Sequence, residues 1–397
     1  MKKKFMVVGA TYTQVPLINT AKRMGYHTIV AGIEGNYPGI AAADEACFVD
    51  ITNPKAVLEK ARELQIDGIA TCCMDIGVRS VGYVCEQMGL CGLTEHAALL
   101  SNQKLAMKEA FEAYGVKSPA YRKVSSEAEL EKAWNELPQP IILKAVDLQA
   151  SRGIYVCRSY EEALEAFRQA MSLTREDFCI VEQFVTGIDI GAQAFVYNGE
   201  ILFILPHNDE VYTGSANKPI GHSAPLQVDN DTMEEVKKQC AAAIRAIGLN
   251  NCAVNIDLLK AEDGQIYMIE LTGRVGATCL PELVAYYYGI DYYAMIVAMA
   301  MGEDPRPYFN NRPGTETANA SRFLMAPKNG VVKSISCPAE GPDVVLKDIY
   351  AKPGDTVHVF EDGKDRIGQV VVTGETLQKC FDRLDEIGEM LEVTYEE

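Results

Sequence analysis

Over the first ninety residues, short apolar blocks alternate with longer stretches in which apolar positions recur every three or four residues. The blocks "KFMVVGA" (4–10), "HTIVAGI" (27–33), "ADEACFVDI" (43–51) and "DGIATCC" (67–73) have the length and residue types of buried strands. Between and after them, "TQVPLINTAKRMGY" (13–26), "PKAVLEKARELQ" (54–65) and "GVRSVGYVCEQMGL" (77–90) carry helical spacing, the second opened by a proline. Residues 1–93 are therefore expected to form a doubly wound α/β domain built from βαβ units. Gly9 ends the first strand, but Ala10, Thr11 and Tyr12 follow it, so the G-x-G-x-x-G fingerprint of dinucleotide folds is absent.

The pattern then changes. A helix in "SNQKLAMKEAFEAYGVKSPAY" (101–121) leads to a helix, "SEAELEKAWNEL", and a strand, "PIILKAV". The loop "DLQASRG" (147–153) connects to strand "IYVCRS", helix "YEEALEAFRQAMS" and strand "FCIVEQFV", a compact α+β unit. From residue 189 strict alternation predicts hairpins, one around the Asn-Gly pair of "YNGE" and one around Asp263-Gly264 in "CAVNIDLLKAEDGQIYMIEL". The helix "DTMEEVKKQCAAAIRAIG" lies between them, and "PELVAYYYG" and "YYAMIVAMAMG" follow as helices. After about residue 310 the chain reads as short strands with Gly, Pro and Asp turns, then one helix, "TLQKCFDRLDEIGEML", and an acidic end.

Charge narrows the partners. A formal net charge of −18 argues against extended contact with nucleic acid or an anionic membrane, while leaving room for a local cationic cleft. The longest apolar stretch is interrupted by Gly289 and Asp291, so no membrane span is expected. The twelve cysteines lack zinc-ligand spacing and sit in apolar patterns, the usage of reduced thiols in a cytoplasmic protein.

Four ionisable residues sit in or at the ends of apolar strands: Lys144, Glu182, Asp257 and Glu270. An unpaired charge there costs several kcal/mol, roughly, so each needs a partner. In "IYMIELTGRVGAT" (266–278) the alternation puts Glu270, Thr272 and Arg274 on one face. Counting outward from the Asp263-Gly264 turn brings Asp257 opposite Glu270, and two facing carboxylates repel unless a cation such as magnesium bridges them. The alternative is that their side chains take opposite faces and a salt bridge forms to Arg274.

The ordered set Lys104 in "SNQKLAM", Lys144 in "IILKAVDLQASRG", Glu182 in "VEQFVTGID", Asp257 in "NIDLL" and Glu270 with Arg274 in "IELTGR" resembles the ATP-grasp superfamily over nearly the whole chain. The likeness is to carboxylate-amine ligases of the L-amino acid ligase kind, and more distantly to phosphoribosylglycinamide synthetase and biotin carboxylase. It implies an ATP-grasp core over 94–310, two α+β lobes enclosing ATP with a mobile small lobe at 118–187, and a C-terminal β-rich subdomain at 311–397. It implies ATP and magnesium (or manganese) as cofactors, small-molecule carboxylate and amine substrates, an acyl phosphate intermediate and a homodimer.

By the same resemblance, Lys104 and Lys144 contact phosphates, Lys144 and Arg274 being catalytic, and Ser151 and Gly153 turn backbone N–H groups toward phosphate. Glu182 takes the adenine amino group, Gln183, Phe184 and Val185 line the base, and Asp189 holds the ribose. Asp257, Glu270 and Thr272 ligate metal, with Thr272 where the family carries asparagine and a phosphate loop poorer in glycine than usual. His222, Arg274, Gly276 and Ala277 are expected to meet substrate. The alternatives are a phosphoribosylglycinamide synthetase-type ligase and a non-catalytic ATP-binding protein.

Overall fold

The computed structural model describes residues 2–146, 153–212, 218–361 and 363–396. Strands β1 (Lys4–Val8), β2 (His27–Gly32), β3 (Glu45–Phe48) and β4 (Gly68–Ala70) form a parallel sheet in the order β3-β2-β1-β4. All but the first residue of β1 and of β2 are buried, as a sheet covered on both faces requires. The helix Pro54–Leu64 starts as its sequence predicts: Asn53 caps it by accepting from the Ala56 N–H, and a proline occupies N1.

A second, antiparallel sheet contains β5 (Tyr121–Val124), β6 (Ile141–Ala145), β7 (Ile154–Cys157) and β8 (Cys179–Gln183) in the order β5-β8-β6-β7. The helices Glu127–Glu136 and Tyr160–Leu173 cover one face around Leu130, Ala163 and Phe167. Lys144 and Glu182 point to the other face, toward the main body.

That body is one eight-stranded sheet. It runs β13 (Ile266–Thr272), β12 (Cys252–Ala261), β9 (Gly187–Tyr197), β10 (Glu200–Tyr212), β11 (Lys218–Ala224), β14 (Ala318–Met325), β18 (Arg366–Gly374) and β16 (Val344–Ile349). The remaining strands, β15 (Gly330–Ser336), β17 (Thr356–Val357) and β19 (Glu392–Tyr395), form a small sheet beside it. The change of composition near residue 310 is therefore no break in the sheet, because β14, β18 and β16 continue it. Asn198 and Gly199 take positive φ between β9 and β10, the turn an Asn-Gly pair predicts.

The long sheet has two unlike faces. Ile190, Ala192, Ala194, Val254 and Ile256 pack under the helix Asn230–Ile247. On the opposite face Phe195, Phe203 and Leu205 pack against Tyr292 and the helices Leu280–Tyr288 and Tyr292–Ala300. Toward the other end of the same strands this second face turns polar. Among the described residues no single helix is long and apolar enough to cross a membrane, and the two apolar helices, bent by 106°, belong to this core.

Gly68 shows how tightly the N-terminal domain is seated. A Cβ there would lie 2.5 Å from the Ala300 carbonyl and 2.7 Å from Met301 Sδ. Gly68→Val is expected to cost about 1–3 kcal/mol through this overpacking. Urea unfolding followed by circular dichroism measures it, and an unchanged midpoint would show the seam to be loose.

Candidate active site

The polar end of the large sheet is assembled by register. Asp257 on β12 pairs directly with Glu270 on β13, Gly191 on β9 pairs with Asp257, and His207 on β10 pairs with Gly191. Residues in one register row share a face, so both carboxylates and the imidazole stand side by side. Gly191 has to be a glycine, since a Cβ there would lie 2.2 Å from the His207 ring.

Asp257 is partly exposed. Burial, then the facing Glu270 and then Asp209 push its pKa up to about 8. The half-exposed Glu270 has Lys104 Nζ at 3.6 Å. Thr272, two residues along the same face, is buried, and its hydroxyl has no hydrogen-bond partner among the described residues. Two repelling carboxylates beside an orphaned hydroxyl form an all-oxygen donor set, which fits a hard divalent cation.

Behind this set runs a chain of side-chain amides. Asn255 Nδ2 donates to Asp257 Oδ1 at 3.0 Å, Gln193 Nε2 donates to Asn255 Oδ1 at 2.7 Å, and Gly276 N–H donates to Gln193 Oε1 at 2.9 Å. The chain ties the loop after Arg274 to Asp257. It also commits the Gly276 N–H to Gln193. Gly276 packs on Asn255, where a Cβ would come within 2.3 Å of Oδ1, and Ala277 follows it in the same loop.

Arg274 reaches back to the N-terminal domain. Its Nε and Nη2 lie 2.8 and 2.6 Å from Asp75 Oδ1, and Nη1 donates to the Val275 carbonyl. Asp257 and Glu270 face one another rather than opposite sides, and Arg274 pairs with Asp75 instead of with either of them.

From the small sheet, Lys144 Nζ lies 3.1 Å from Glu182 Oε2, and Lys108 Nζ lies at the same distance from that oxygen. Two ammonium groups thus meet one oxygen of the Glu182 carboxylate. Burial raises its pKa, but Lys144 and Lys108 outweigh burial and hold the carboxyl below its usual range. The buried Lys108 carries the opposite strain, its pKa lowered chiefly by desolvation. Beyond Glu182, the Gln183 and Phe184 N–H groups donate to Ala120 and Pro140 carbonyls, which fixes the path of the chain into Val185. Asp189 sits at the exposed start of β9. Gly153 adopts φ +68°, a conformation glycine takes without strain, whereas Ser151 lies outside the described residues.

His222 is no surface histidine. It is buried on β11, and its Nδ1 lies 2.7 Å from Asp209 Oδ1, which His207 Nδ1 approaches to 2.8 Å. The two imidazoles drive the Asp209 pKa far down despite its burial. An ionised Asp209 accepting from both Nδ1–H groups leaves each Nε2 with a lone pair. Gln193 Nε2 stands 3.4 Å from that of His207. Behind the Arg274 loop lies a cavity of ≈ 410 Å³, walled by Tyr12 and Cys73 of the N-terminal domain, Thr278 and Glu282 of the core, and Tyr350 and Arg366 of the C-terminal part.

The comparisons with known proteins agree with this geometry. A model of the ATP-grasp domain matches residues 137–282, and a model of the L-amino acid ligase C-terminal domain 2 matches residues 322–396. The crystal structure of phosphoribosylglycinamide synthetase from Anaerococcus prevotii is 41% identical, over 99% of this chain and 100% of that one, with a TM-score of 0.88. The chain belongs to the ATP-grasp family. An L-amino acid ligase from Bacillus licheniformis shares the fold over the full length of both chains, with a TM-score of 0.84 at 17% identity. Alanine–anticapsin ligase of Bacillus subtilis is 22% identical over 61% of this chain, an alignment spanning about half (55%) of that ligase.

Several parts of this ATP-grasp site were not evident from sequence: Lys108, Asp75, Gln193, Asn255 and Arg366. Only Lys108 carried a signal, lying four residues after Lys104 and so on the same helix face.

The raised pKa of Asp257 has a consequence for stability. The unfolded chain releases this proton near pH 4, whereas the metal-free folded chain holds it to about pH 8. Stability from this residue is therefore lost as pH climbs from about 4 to about 8. Asp257→Asn removes the penalty, so its metal-free melting temperature should exceed the wild type's by several degrees at pH 8.5 and match it at pH 4. A difference independent of pH would refute this assignment.

Proposed function

We propose that this ATP-grasp enzyme is a magnesium- and ATP-dependent carboxylate–amine ligase that forms an amide or peptide bond through an acyl phosphate. The reading rests above all on the Asp257–Glu270 pair, two facing carboxylates that a divalent cation would neutralise, with Lys104 beside them. Asp257, Glu270 and Thr272 would hold the magnesium, which when bound neutralises the triphosphate charge. Lys104 and Lys144 bind phosphate oxygens. Lys144 reaches the cleft already oriented by Glu182, so little rotamer freedom is lost on binding.

In the first half-reaction a substrate carboxylate oxygen attacks the γ-phosphorus and the bond to the β,γ-bridging oxygen breaks, giving ADP and an acyl phosphate. Arg274, held by Asp75, faces the charge that develops on the transferring group. In the second, an amine nitrogen attacks the acyl carbon, phosphate leaves, and the amine gives up a proton. His222 is the base we assign, because Asp209 occupies its Nδ1 and leaves the Nε2 lone pair to accept. The free cysteines, most of them buried, suit a cytoplasmic location.

A phosphoribosylglycinamide synthetase-type reaction is the second reading, favoured by the 41% identity to a structure bearing that title. Phosphate release from ATP and magnesium with pairs of amino acids supports the first reading. Release only with phosphoribosylamine plus glycine supports the second, and tight ATP binding without release under any pairing would refute both. Glu270→Gln is expected to lower turnover by at least about 100-fold with the fold intact. Undiminished turnover would remove Glu270 from the metal site.

A further inference from the structure

The cavity behind the Arg274 loop holds charges that the protein leaves unmatched. The guanidinium of Arg366, at the start of β18, has no ion pair and no hydrogen bond among the described residues. Its guanidinium carbon lies instead 4.5 Å from the Tyr12 ring centre, 4.4 Å from that of Phe323 and 5.8 Å from that of Tyr350. Ring faces attract a cation by about 0.5–2 kcal/mol, which does not offset the several kcal/mol lost when a charge leaves water. Desolvation alone lowers the Arg366 pKa to about 10, so it stays charged. The Tyr350 hydroxyl beside it is buried without a hydrogen-bond partner among the described residues.

On the same walls stand two carboxylates with no cation. Glu282 accepts from the Tyr293 hydroxyl at 3.0 Å, and Asp348 accepts from Gln369 at 3.3 Å; neither has a salt bridge among the described residues. The Glu282–Tyr293 pair lies beside Cys72 and Cys73, and Cys73 also borders Arg274. Of the two, Glu282 stands on the helix that follows the Arg274 loop and so toward the reacting end of the cavity, whereas Asp348, on β16, shares the C-terminal side with Arg366 on the neighbouring β18. One unpaired guanidinium and two unpaired carboxylates in a space of ≈ 410 Å³ complement a small zwitterion.

We propose that Arg366 is the anchor for the free carboxylate of an α-amino acid that serves as the amine substrate, with Glu282 and Asp348 receiving its ammonium group. The carboxylate held at Arg366 is not the one activated beside Arg274, and this orientation turns the amine toward the acyl phosphate. The assignment deepens the ligase reading and rests on it for the word substrate. The pocket itself is tested without turnover. Two carboxylates in the wall also disfavour a phosphate dianion, so the subsite separates an amino acid from a sugar phosphate.

The experiment is calorimetric binding to the intact protein, without ATP, of the protein amino acids, of their decarboxylated amines, and of ribose 5-phosphate. Amino acids are expected to bind the wild type, the decarboxylated amines roughly 10–100-fold more weakly, and Arg366→Gln to lose the same factor for amino acids only. Arg366→Lys should recover part of it. MgATP binding and the melting curve of Arg366→Gln report whether the variant is folded; if it is not, Glu282→Gln carries the test, with amino acid binding again weakened. Equal binding of amino acids to wild type and Arg366→Gln would overturn the proposal. So would preferential binding of ribose 5-phosphate, or no amino acid binding at all. If the binding pattern holds but no amino acid pair releases phosphate, the subsite stands and the ligase reading fails.

Discussion

Asp257 and Glu270 oppose each other across a β-hairpin, and the register of four strands leaves neither another place to go. One is enclosed enough to hold its proton to about pH 8, and the other has only a lysine at 3.6 Å. Such a pair destabilises the empty protein and becomes favourable when a divalent cation and a polyanion arrive together. The neighbouring features follow from that requirement. Gly191 gives up its side chain so that the row can close on His207, and Asn255 and Gln193 hold Asp257 from behind. The same amides carry the hold into the loop that bears Arg274, so the Asp257 carboxyl and the position of that loop share one set of hydrogen bonds.

Buried charges elsewhere in the cleft divide into matched and unmatched sets. Glu182 with Lys108 and Lys144 leaves one positive charge over, on the side facing the large sheet. Asp209 between two imidazoles is satisfied and fixes two tautomers. Asp257 with Glu270, and Arg366 in its ring of aromatic side chains, are unmatched. A matched set contributes geometry, whereas an unmatched one costs stability and is explained only by what binds there.

Much of this was legible in the sequence because it is local. Period-two alternation placed Glu270 and Thr272 on one face, and a turn at Asp263-Gly264 fixed the residue opposite Glu270 by counting. What sequence could not supply was convergence between distant segments. Asp75 meets Arg274 across 199 residues, and Gln193 meets Asn255 across 62. The strand β11 was hidden for a different reason. Pro219, Gly221 and Pro225 erase the alternation of "PIGHSAP", and its strand character comes from pairing with β10 on one side and β14 on the other. Lys108 was hidden in the same way, its partner Glu182 being visible only once helix and sheet are packed.

The Lys104–Glu270 contact shows how such a site can be both assembled and ready. At 3.6 Å, with nearly half of the Glu270 side chain in solvent, it is a weak pair worth about 0–1 kcal/mol. A stronger bridge would compete with the cation for Glu270, and none at all would leave the carboxylates without any local compensation. A weak one lowers the repulsion while the cleft is empty, and under the proposed reading it would exchange at little cost, Glu270 being free to take a cation and Lys104 a phosphate oxygen. Both partners keep a strong electrostatic interaction through the exchange. That condition limits how tightly the empty site may be packed, and it accounts for Glu270, on the edge strand, remaining more open to water than the partly exposed Asp257 one strand inward.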